Sequence, residues 1–146
     1  MGLNLKHSDL IFIDTAPFIY FFEKHLLYFP HMIRLFDLVY ERQAQIITSM
    51  ITFIEIASYP MAQGHIKLIR KYRDYFTRGE NISLIPIDLI IAEETTRVRA
   101  KYKLKTPDAI QIGTAISHGA DYIITNDKGW KALDAPVPEV LMVEEI

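Results

Sequence analysis

The stretch IFIDTAPF, residues Ile11–Phe18, decides the fold, because an apolar run ends there at an aspartate and a helical pattern follows. Leu10–Ile13 is typical of a short buried strand, and Ala16–Glu23 has helical character. Asp14 stands between the two. A carboxylate at the rim of a core is costly unless something cationic meets it, and no cation is close in sequence. The rest of the chain must therefore supply a partner for Asp14.

The strand-then-helix order recurs along the chain, which predicts an α/β fold. Further strands are predicted at Gln45–Ser49, Ile82–Ile87, Tyr122–Ile124 and Val140–Val143. Helices are predicted from Pro30, from an N-cap at Ser49 to a stop at Pro60, over His65–Thr77 with an end at Gly79, after an N-cap at Asp88, from an N-cap at Thr106 to Gly119, and as a short turn over Asp127–Leu133. Strands that alternate with helices form a mostly parallel sheet covered on both faces.

Composition limits the classes of protein that fit. The 146 residues suit a single domain, 1–146, and 50% apolar with 23% charged residues is ordinary globular composition. The formal net charge of -2 means that contact with a polyanion would need local basic groups. There is no cysteine, which excludes disulfides, thiolate zinc sites and a thiol nucleophile, and agrees with the cytoplasm. No apolar run approaches the roughly 20 residues that span a bilayer.

Four acids are candidates for a functional site. Asp14 follows the first strand and Asp127 the fourth, and ligands of open α/β sheets bind at the carboxyl ends of the strands. Asp108 lies at the start of a helix, and Glu55 lies among apolar residues in ITFIEIA, where we expect little water. Each aspartate alone also has an ordinary explanation, as a cap, a favourable charge at a helix start or a turn residue.

Taken together, the four acids imply a metal ion. Carboxylates gathered at one edge of a sheet repel one another unless some are protonated or a cation lies among them. Oxygen ligands without cysteine favour a hard ion such as Mg²⁺ or Mn²⁺. The five histidines are scattered, and no pair has the helical spacing of a zinc motif.

Four blocks of sequence resemble the successive signature blocks of the PIN domain, and especially of the small VapC-like ribonuclease toxins. They are FIDTAPFIYFFE, TSMITFIEIASYP, KTPDAIQIGTA and DYIITNDKGW, in the family's order and over nearly the whole chain. The resemblance implies a three-layer α/β/α sandwich with a central parallel sheet. It also implies an acidic pocket that binds Mg²⁺ or Mn²⁺ and hydrolyses single-stranded RNA.

The resemblance assigns roles to particular residues. The acids of the four blocks are Asp14, Glu55, Asp108 and Asp127, which are the expected catalytic residues. Of these, Asp14, Asp108 and Asp127 are the expected metal ligands, whereas Glu55 is either a general base or a ligand through water. Thr125 and Asn126 occupy positions of supporting polar residues. Many relatives have asparagine two positions after the first acid, where this chain has Ala16, which puts fine specificity in doubt.

The hypothesis is therefore a metal-dependent endoribonuclease, the toxin of a toxin–antitoxin pair. The resemblance implies a homodimer, a small antitoxin protein as partner and no membrane. For RNA contact the candidates are Arg70–Arg78 and Arg97–Lys105, with Tyr72, Tyr75 and Tyr102 available to stack on bases. A non-catalytic PIN scaffold that binds RNA or a protein partner is the alternative.

Three other enzyme classes are excluded by sequence. A haloacid-dehalogenase-type phosphatase needs a second acid two residues after Asp14, where Ala16 stands. The chain contains neither the P-loop nor the dinucleotide-binding glycine motif.

Overall fold

The structure is a computed structural model that describes residues 2–146. Five strands form one parallel sheet, and six α-helices and two short 3-10 turns connect or follow them. The strands are β1 Leu10–Ile13, β2 Gln45–Ser49, β3 Ile82–Ile85, β4 Tyr122–Thr125 and β5 Glu139–Met142. The helices are α1 Thr15–Phe22, α2 Phe29–Glu41, α3 Met50–Ala62, α4 Ile66–Arg78, α5 Leu89–Tyr102 and α6 Thr106–Ser117, and the 3-10 turns are Lys128–Ala132 and Val143–Glu145.

The sheet has the order β3-β2-β1-β4-β5, so β1 is the central strand. Ile11 of β1 is in register with Ile46 of β2 on one side and with Tyr122 of β4 on the other. All four pairings are parallel. The carboxyl ends of β1, β2 and β4 therefore lie side by side at one edge, where the residues after each strand can meet.

The core lies on both faces of the sheet, as the alternation of side chains along β1 requires. Ile11 and Ile13 pack with buried side chains of α1, α2, α3 and α4. Phe12 points to the other face, where it packs with buried side chains of α5 and α6 and with Trp130. The predicted three-layer α/β/α sandwich with a parallel sheet is thereby confirmed.

The predicted helix caps at Ser49 and Asp88 are confirmed, whereas the predicted cap at Thr106 is wrong. Ser49 Oγ accepts a hydrogen bond from Ile51 N at 3.1 Å, and Asp88 Oδ1 accepts one from Ile91 N at 2.9 Å. Thr106, by contrast, is the first residue of α6, and Lys105 occupies the cap position.

The prediction that Pro60 stops its helix is wrong. Pro60 lies inside α3, which continues to Ala62, and the proline is buried. Proline in the last turn removes one backbone hydrogen bond, and the packing of its ring offsets that loss. β3 is also shorter than predicted, since it ends at Ile85.

Two further predictions concern the chain as a whole. The prediction of one domain over 1–146 includes Met1, which lies outside the described residues, and it stays a prediction. Within residues 2–146, no helix combines the length and the apolar composition that crossing a membrane requires.

Replacing Gly79 by alanine should destabilise the protein through a steric contact. Gly79 ends α4 with φ -63° and ψ 138°, which any residue adopts, so backbone strain is not the reason for glycine. A Cβ there would lie 2.9 Å from the Tyr75 carbonyl oxygen and would overlap the Ile82 side chain. We expect Gly79→Ala to lower the free energy of unfolding by about 1–3 kcal/mol in chemical denaturation.

Glu80→Ala is the matched control, because Glu80 is the next residue and is exposed. It should change the free energy of unfolding by less than about 0.5 kcal/mol. Equal stabilities of the two variants would show that the contact at Gly79 is not tight.

Candidate functional site

Asp14 is held at the carboxyl end of β1 by neutral donors. Its side chain caps α1, where Oδ1 accepts a hydrogen bond from Thr15 N at 2.7 Å. Oδ2 accepts one from Thr125 Oγ1 at 2.8 Å, and Gln111 Nε2 donates to Oδ1 at 3.3 Å. The ion pairs found among residues 2–146 include none of the four candidate acids. The negative charge of Asp14 is therefore oriented but not neutralised.

The electrostatics of Asp14 reflect that arrangement. The pKa of Asp14 is raised to about 6, chiefly by burial; the hydrogen bonds from Thr125 and Thr15 lower it, and the charges of Glu55 and Asp108 add smaller increases. A raised pKa means that the fold disfavours the ionised form. A cation brought to this site would relieve that cost.

Asp108 and Asp127 lie near Asp14 at the same edge of the sheet. Asp108 is half-buried in the first turn of α6, where burial and the charge of Asp127 raise its pKa while Lys105 lowers it. Asp127 is exposed and its Oδ1 accepts from Gly129 N at 2.9 Å. The backbone N of Asp127 donates to Thr125 Oγ1 at 3.0 Å, so the Thr125 hydroxyl joins the first and last acids.

The expectation that Glu55 is enclosed by apolar residues is wrong. Glu55 is exposed, and its neighbours Ile54 and Tyr59 are 55% and 73% exposed. The reason is that α3 presents a different side to the core and leaves Glu55 on its open side. Glu55 nevertheless stays beside the other acids, because Thr15 Oγ1 donates to its Oε1 at 2.9 Å.

A buried polar network lies beneath the acids, and it was not predicted from the sequence. Gln111 Nε2 lies 3.0 Å from Thr52 Oγ1 and 3.1 Å from Thr15 Oγ1. The hydroxyls of Thr48 and Thr52 are 2.8 Å apart, and Thr48 Oγ1 donates to Ile13 O at 2.7 Å. The available signals were a threonine pair at helical spacing and a glutamine three residues after Asp108, on the apolar side of its helix.

The two predicted supporting residues, Thr125 and Asn126, make different contacts. Thr125 is buried and contacts Asp14 directly. Asn126 donates instead to the hydroxyl of Tyr20 on α1 at 3.0 Å, so its amide is engaged away from the acids.

A cleft of about 310 Å³ opens between α1, α3 and α4, and Glu55 is the one candidate acid that lines it. Glu55 forms part of its wall, and most of the remaining wall is apolar or aromatic: Ile19, Phe22, Ile56, Tyr59, Pro60, Leu68 and Tyr72. The acidic site therefore continues into an apolar surface at Glu55.

The basic segments differ in how much of their charge is already used. On α5, Arg97 pairs with Glu94 at 2.8 Å and Lys101 with Asp134 at 3.1 Å. On α4, the ion pairs of the described residues involve only Arg78, which lies 3.7 Å from Asp74. The basic side of α4 is thus the more available of the two.

Two of the three tyrosines predicted to stack on bases are engaged within the protein. Tyr75 packs among aromatic side chains of α1, and burial raises its pKa to about 12. Tyr102 donates its hydroxyl proton to Asp134. Tyr72 lines the cleft, with its ring 4.8 Å from that of Phe22.

The chemistry of the donor set fits a hard divalent ion, since the candidate ligands are carboxylates and the most buried of them has no cationic partner. The candidate ligands lie farther apart than the ligands of a bound metal ion do. Among residues 2–146, no three Asp, Glu, His or Cys side chains come close enough together to hold an ion. An ion would therefore have to draw Asp108 and Asp127 toward Asp14.

The PIN domain family profile matches residues 11–136, which include all four acids. The chain belongs to the PIN domain family. PIN domains are generally nucleases and typically use a divalent metal. No curated protein matches the chain.

Solved structures similar to this PIN domain come from toxin–antitoxin complexes. A chain of a toxin-antitoxin complex from Klebsiella pneumoniae is 27% identical with a TM-score of 0.65, and the match covers 95% of this chain and 100% of that chain. A chain of VapBC2 from Rickettsia felis bound to a DNA fragment from their promoter is 15% identical, with a TM-score of 0.73 and coverage of 91% and 98%. A chain of DNA-bound VapBC from Salmonella typhimurium is 16% identical, with a TM-score of 0.69 and coverage of 93% and 99%. The predicted PIN domain is confirmed by the family match, and the VapC-like assignment stays a prediction.

The raised pKa of Asp14 predicts a specific dependence of stability on pH. Because the folded pKa of about 6 lies above the ordinary 3.8, the folded protein holds this proton more tightly than the unfolded chain does. Its contribution to stability is therefore lost as the pH rises through that window. In the metal-free protein, Asp14→Asn should raise the free energy of unfolding by roughly 2 kcal/mol more at pH 8 than at pH 4.5.

Chemical denaturation in the presence of a chelator measures this difference. Asp37→Asn, which changes an exposed aspartate on α2, is the control and should show no comparable pH-dependent gain. An Asp14→Asn variant whose effect on the free energy of unfolding is the same at pH 8 and at pH 4.5 would contradict the electrostatic description of the site.

Proposed function

We propose that the chain is a metal-dependent endoribonuclease that hydrolyses single-stranded RNA and serves as the toxin of a toxin–antitoxin pair. The observation that carries this proposal is the uncompensated carboxylate of Asp14, with three further acids around it at the carboxyl ends of the strands. Family membership supports nuclease chemistry, and the similarity to a chain of a toxin-antitoxin complex supports the toxin role. A surface used only to bind a polyanion would gain nothing from four carboxylates.

In this proposal Asp14, Asp108 and Asp127 hold Mg²⁺ or Mn²⁺. Such an ion would supply a Lewis acid to a phosphodiester oxygen and would lower the pKa of a water molecule. Thr125 orients two of the ligands, because its hydroxyl contacts both Asp14 Oδ2 and Asp127 N. Glu55 accepts a proton from the attacking water: Thr15 engages its Oε1, and no hydrogen bond within residues 2–146 engages Oε2.

We also propose that RNA runs along the basic side of α4. Lys67 and Lys71 lie one helical turn apart, beside His65 and Leu68. His65 and Leu68 also line the cleft that contains Glu55, so these two lysines lie on the surface next to that cleft. The chain as a whole is slightly negative, which makes this local positive charge the attraction for a phosphate backbone.

The proposed partners are a small antitoxin protein and a second copy of the chain. Exposed apolar side chains of α3, including Ile54, Tyr59 and Met61, lie beside the cleft or on the adjoining surface. Apolar surface that continues from an acidic site suits a protein that covers both. The cytoplasm is the proposed compartment.

RNA cleavage should depend on a divalent ion and on Asp14. We expect the wild-type protein to cut single-stranded RNA with Mg²⁺ or Mn²⁺ and to stop when a chelator is added. Asp14→Asn should lower kcat by about 100-fold or more, since it removes a direct ligand. Quantitative cleavage of a labelled RNA pool, with Asp37→Asn as the control, measures both effects.

Cleavage that survives the chelator and the substitution would refute the metal mechanism. Metal binding in calorimetry without turnover on any RNA would instead favour the non-catalytic scaffold.

Charge removal on α4 should weaken substrate binding and leave the chemical step intact. We expect Lys67→Gln combined with Lys71→Gln to raise KM for RNA with little change in kcat. The slope of log KM against log salt concentration should fall by about 1.4, because each of the two lysines would otherwise neutralise one phosphate, which contributes about 0.7 on a single strand.

The control is Lys6→Gln combined with Arg42→Gln, which removes the same charge at the opposite edge of the sheet, near the amino ends of β1 and β2. Equal increases in KM for both double variants would show that α4 is not the RNA path.

A further inference from the structure

We infer that Gln111 is a positioning residue whose side-chain amide fixes the orientation of the Asp14 carboxylate and, through the Thr15 hydroxyl, of Glu55. Gln111 is 1% exposed and lies on α6, below the acids. It is too deeply buried to touch RNA. This inference rests on the proposed function, because it explains how the chain keeps two of the proposed catalytic residues in place.

The amide nitrogen of Gln111 is the meeting point of three elements. It lies 3.0 Å from Thr52 Oγ1 on α3, 3.1 Å from Thr15 Oγ1 at the start of α1 and 3.3 Å from Asp14 Oδ1 after β1. An amide nitrogen carries two protons and accepts none, so it is the donor in all three contacts, with one proton shared between two of the oxygens. A buried amide with this set of contacts holds α1, α3 and α6 in one relative arrangement.

The direction of these hydrogen bonds determines which acceptor the Thr15 hydroxyl proton can reach. A hydroxyl has one proton, and because Gln111 donates to the Thr15 oxygen, that proton remains available for another acceptor. Glu55 Oε1 lies 2.9 Å from Thr15 Oγ1 and takes it. Gln111 therefore selects the orientation in which Thr15 holds Glu55.

Glu55 needs such a constraint more than the aspartates do. Its side chain is exposed and has several rotatable bonds, so it would otherwise sample many orientations in water. The Thr15 contact confines it near Asp14, and a catalytic group must be held within a fraction of an ångström of its working position.

A neutral donor suits this position better than a cation would. A lysine or arginine in place of Gln111 would also orient Asp14, but it would neutralise the carboxylate and compete with a divalent ion. An amide orients the carboxylate and leaves its charge intact. The same amide is itself anchored, since Thr52 contacts Thr48, and Thr48 donates to Ile13 O in β1.

Replacing Gln111 by methionine tests the inference, since methionine is similar in size and donates no hydrogen bond. We expect Gln111→Met to weaken Mn²⁺ binding in calorimetry and to lower kcat, each by about 10- to 100-fold, as is usual when a partner of a ligand is removed. KM for RNA should stay nearly unchanged. Thr95→Val is the matched control, because Thr95 is buried and bonds only to its own helix, and it should leave both quantities unchanged.

Two substitutions at Thr15 keep the test decisive if Gln111→Met fails to fold. Thr15→Val should lower kcat in the same way, whereas Thr15→Ser, which keeps the hydroxyl, should restore it. Denaturation curves establish that each variant is folded.

The outcomes separate this inference from the proposed function. A wild-type protein that cleaves RNA, with Gln111→Met and Thr15→Val matching it in kcat and in Mn²⁺ affinity, overturns the role of Gln111 alone. A wild-type protein that binds Mn²⁺ but cuts no RNA overturns the nuclease. In that case weaker Mn²⁺ binding by Gln111→Met still supports the positioning of Asp14, and equal binding overturns it. A wild-type protein that neither binds Mn²⁺ nor cleaves overturns both.

Discussion

A carboxylate held in place by neutral donors, at the end of the central strand, is the constraint on which the rest of this structure depends. Asp14 is buried enough for its pKa to rise to about 6, and yet its hydrogen-bond partners are a backbone N–H, a threonine hydroxyl and a glutamine amide. A fold selected only for stability would place a cation or an apolar residue there. Retaining an uncompensated charge is a cost in the metal-free protein, and such costs concentrate at functional sites.

The sheet order determines which segments meet Asp14. Because β1 is central, the residues after β1, β2 and β4 meet at one edge, although they are more than one hundred positions apart along the chain at the extremes. The last residue of β4 is Thr125 and the next-to-last residue of β2 is Thr48, so the two threonines lie on either side of β1 near this edge. α6 approaches the same edge from the other face of the sheet. It carries Asp108 and Gln111, which lie three positions apart on one side of the helix. The strand order therefore brings the residues of the site together.

The sequence predicted most of the fold because hydrophobic runs and caps are local signals. All five strands and six helices are present near their expected positions, and Ser49 and Asp88 cap their helices as expected. The predictions were wrong where a tertiary contact overrode a rule based on local sequence. Pro60 continues its helix because its ring packs in the interior, and Glu55 is exposed because the composition around a residue does not say which side of a helix faces the core. The Gln111 network was missed for the same reason, since its hydrogen bonds join residues up to 97 positions apart.

Glu55 connects the two parts of the surface that matter for function. On one side the Thr15 hydroxyl binds it into the acidic site, and on the other it forms part of the wall of the apolar cleft between α1, α3 and α4. A protein segment that filled this cleft would contact Glu55 and would narrow the approach to Asp14, because Glu55 belongs to both regions. Occupation of the cleft and access of RNA to the acids would then exclude each other sterically. In the proposed toxin, inhibition by a partner would therefore require no conformational change, only the burial of apolar surface that the free chain leaves exposed at residues such as Tyr59.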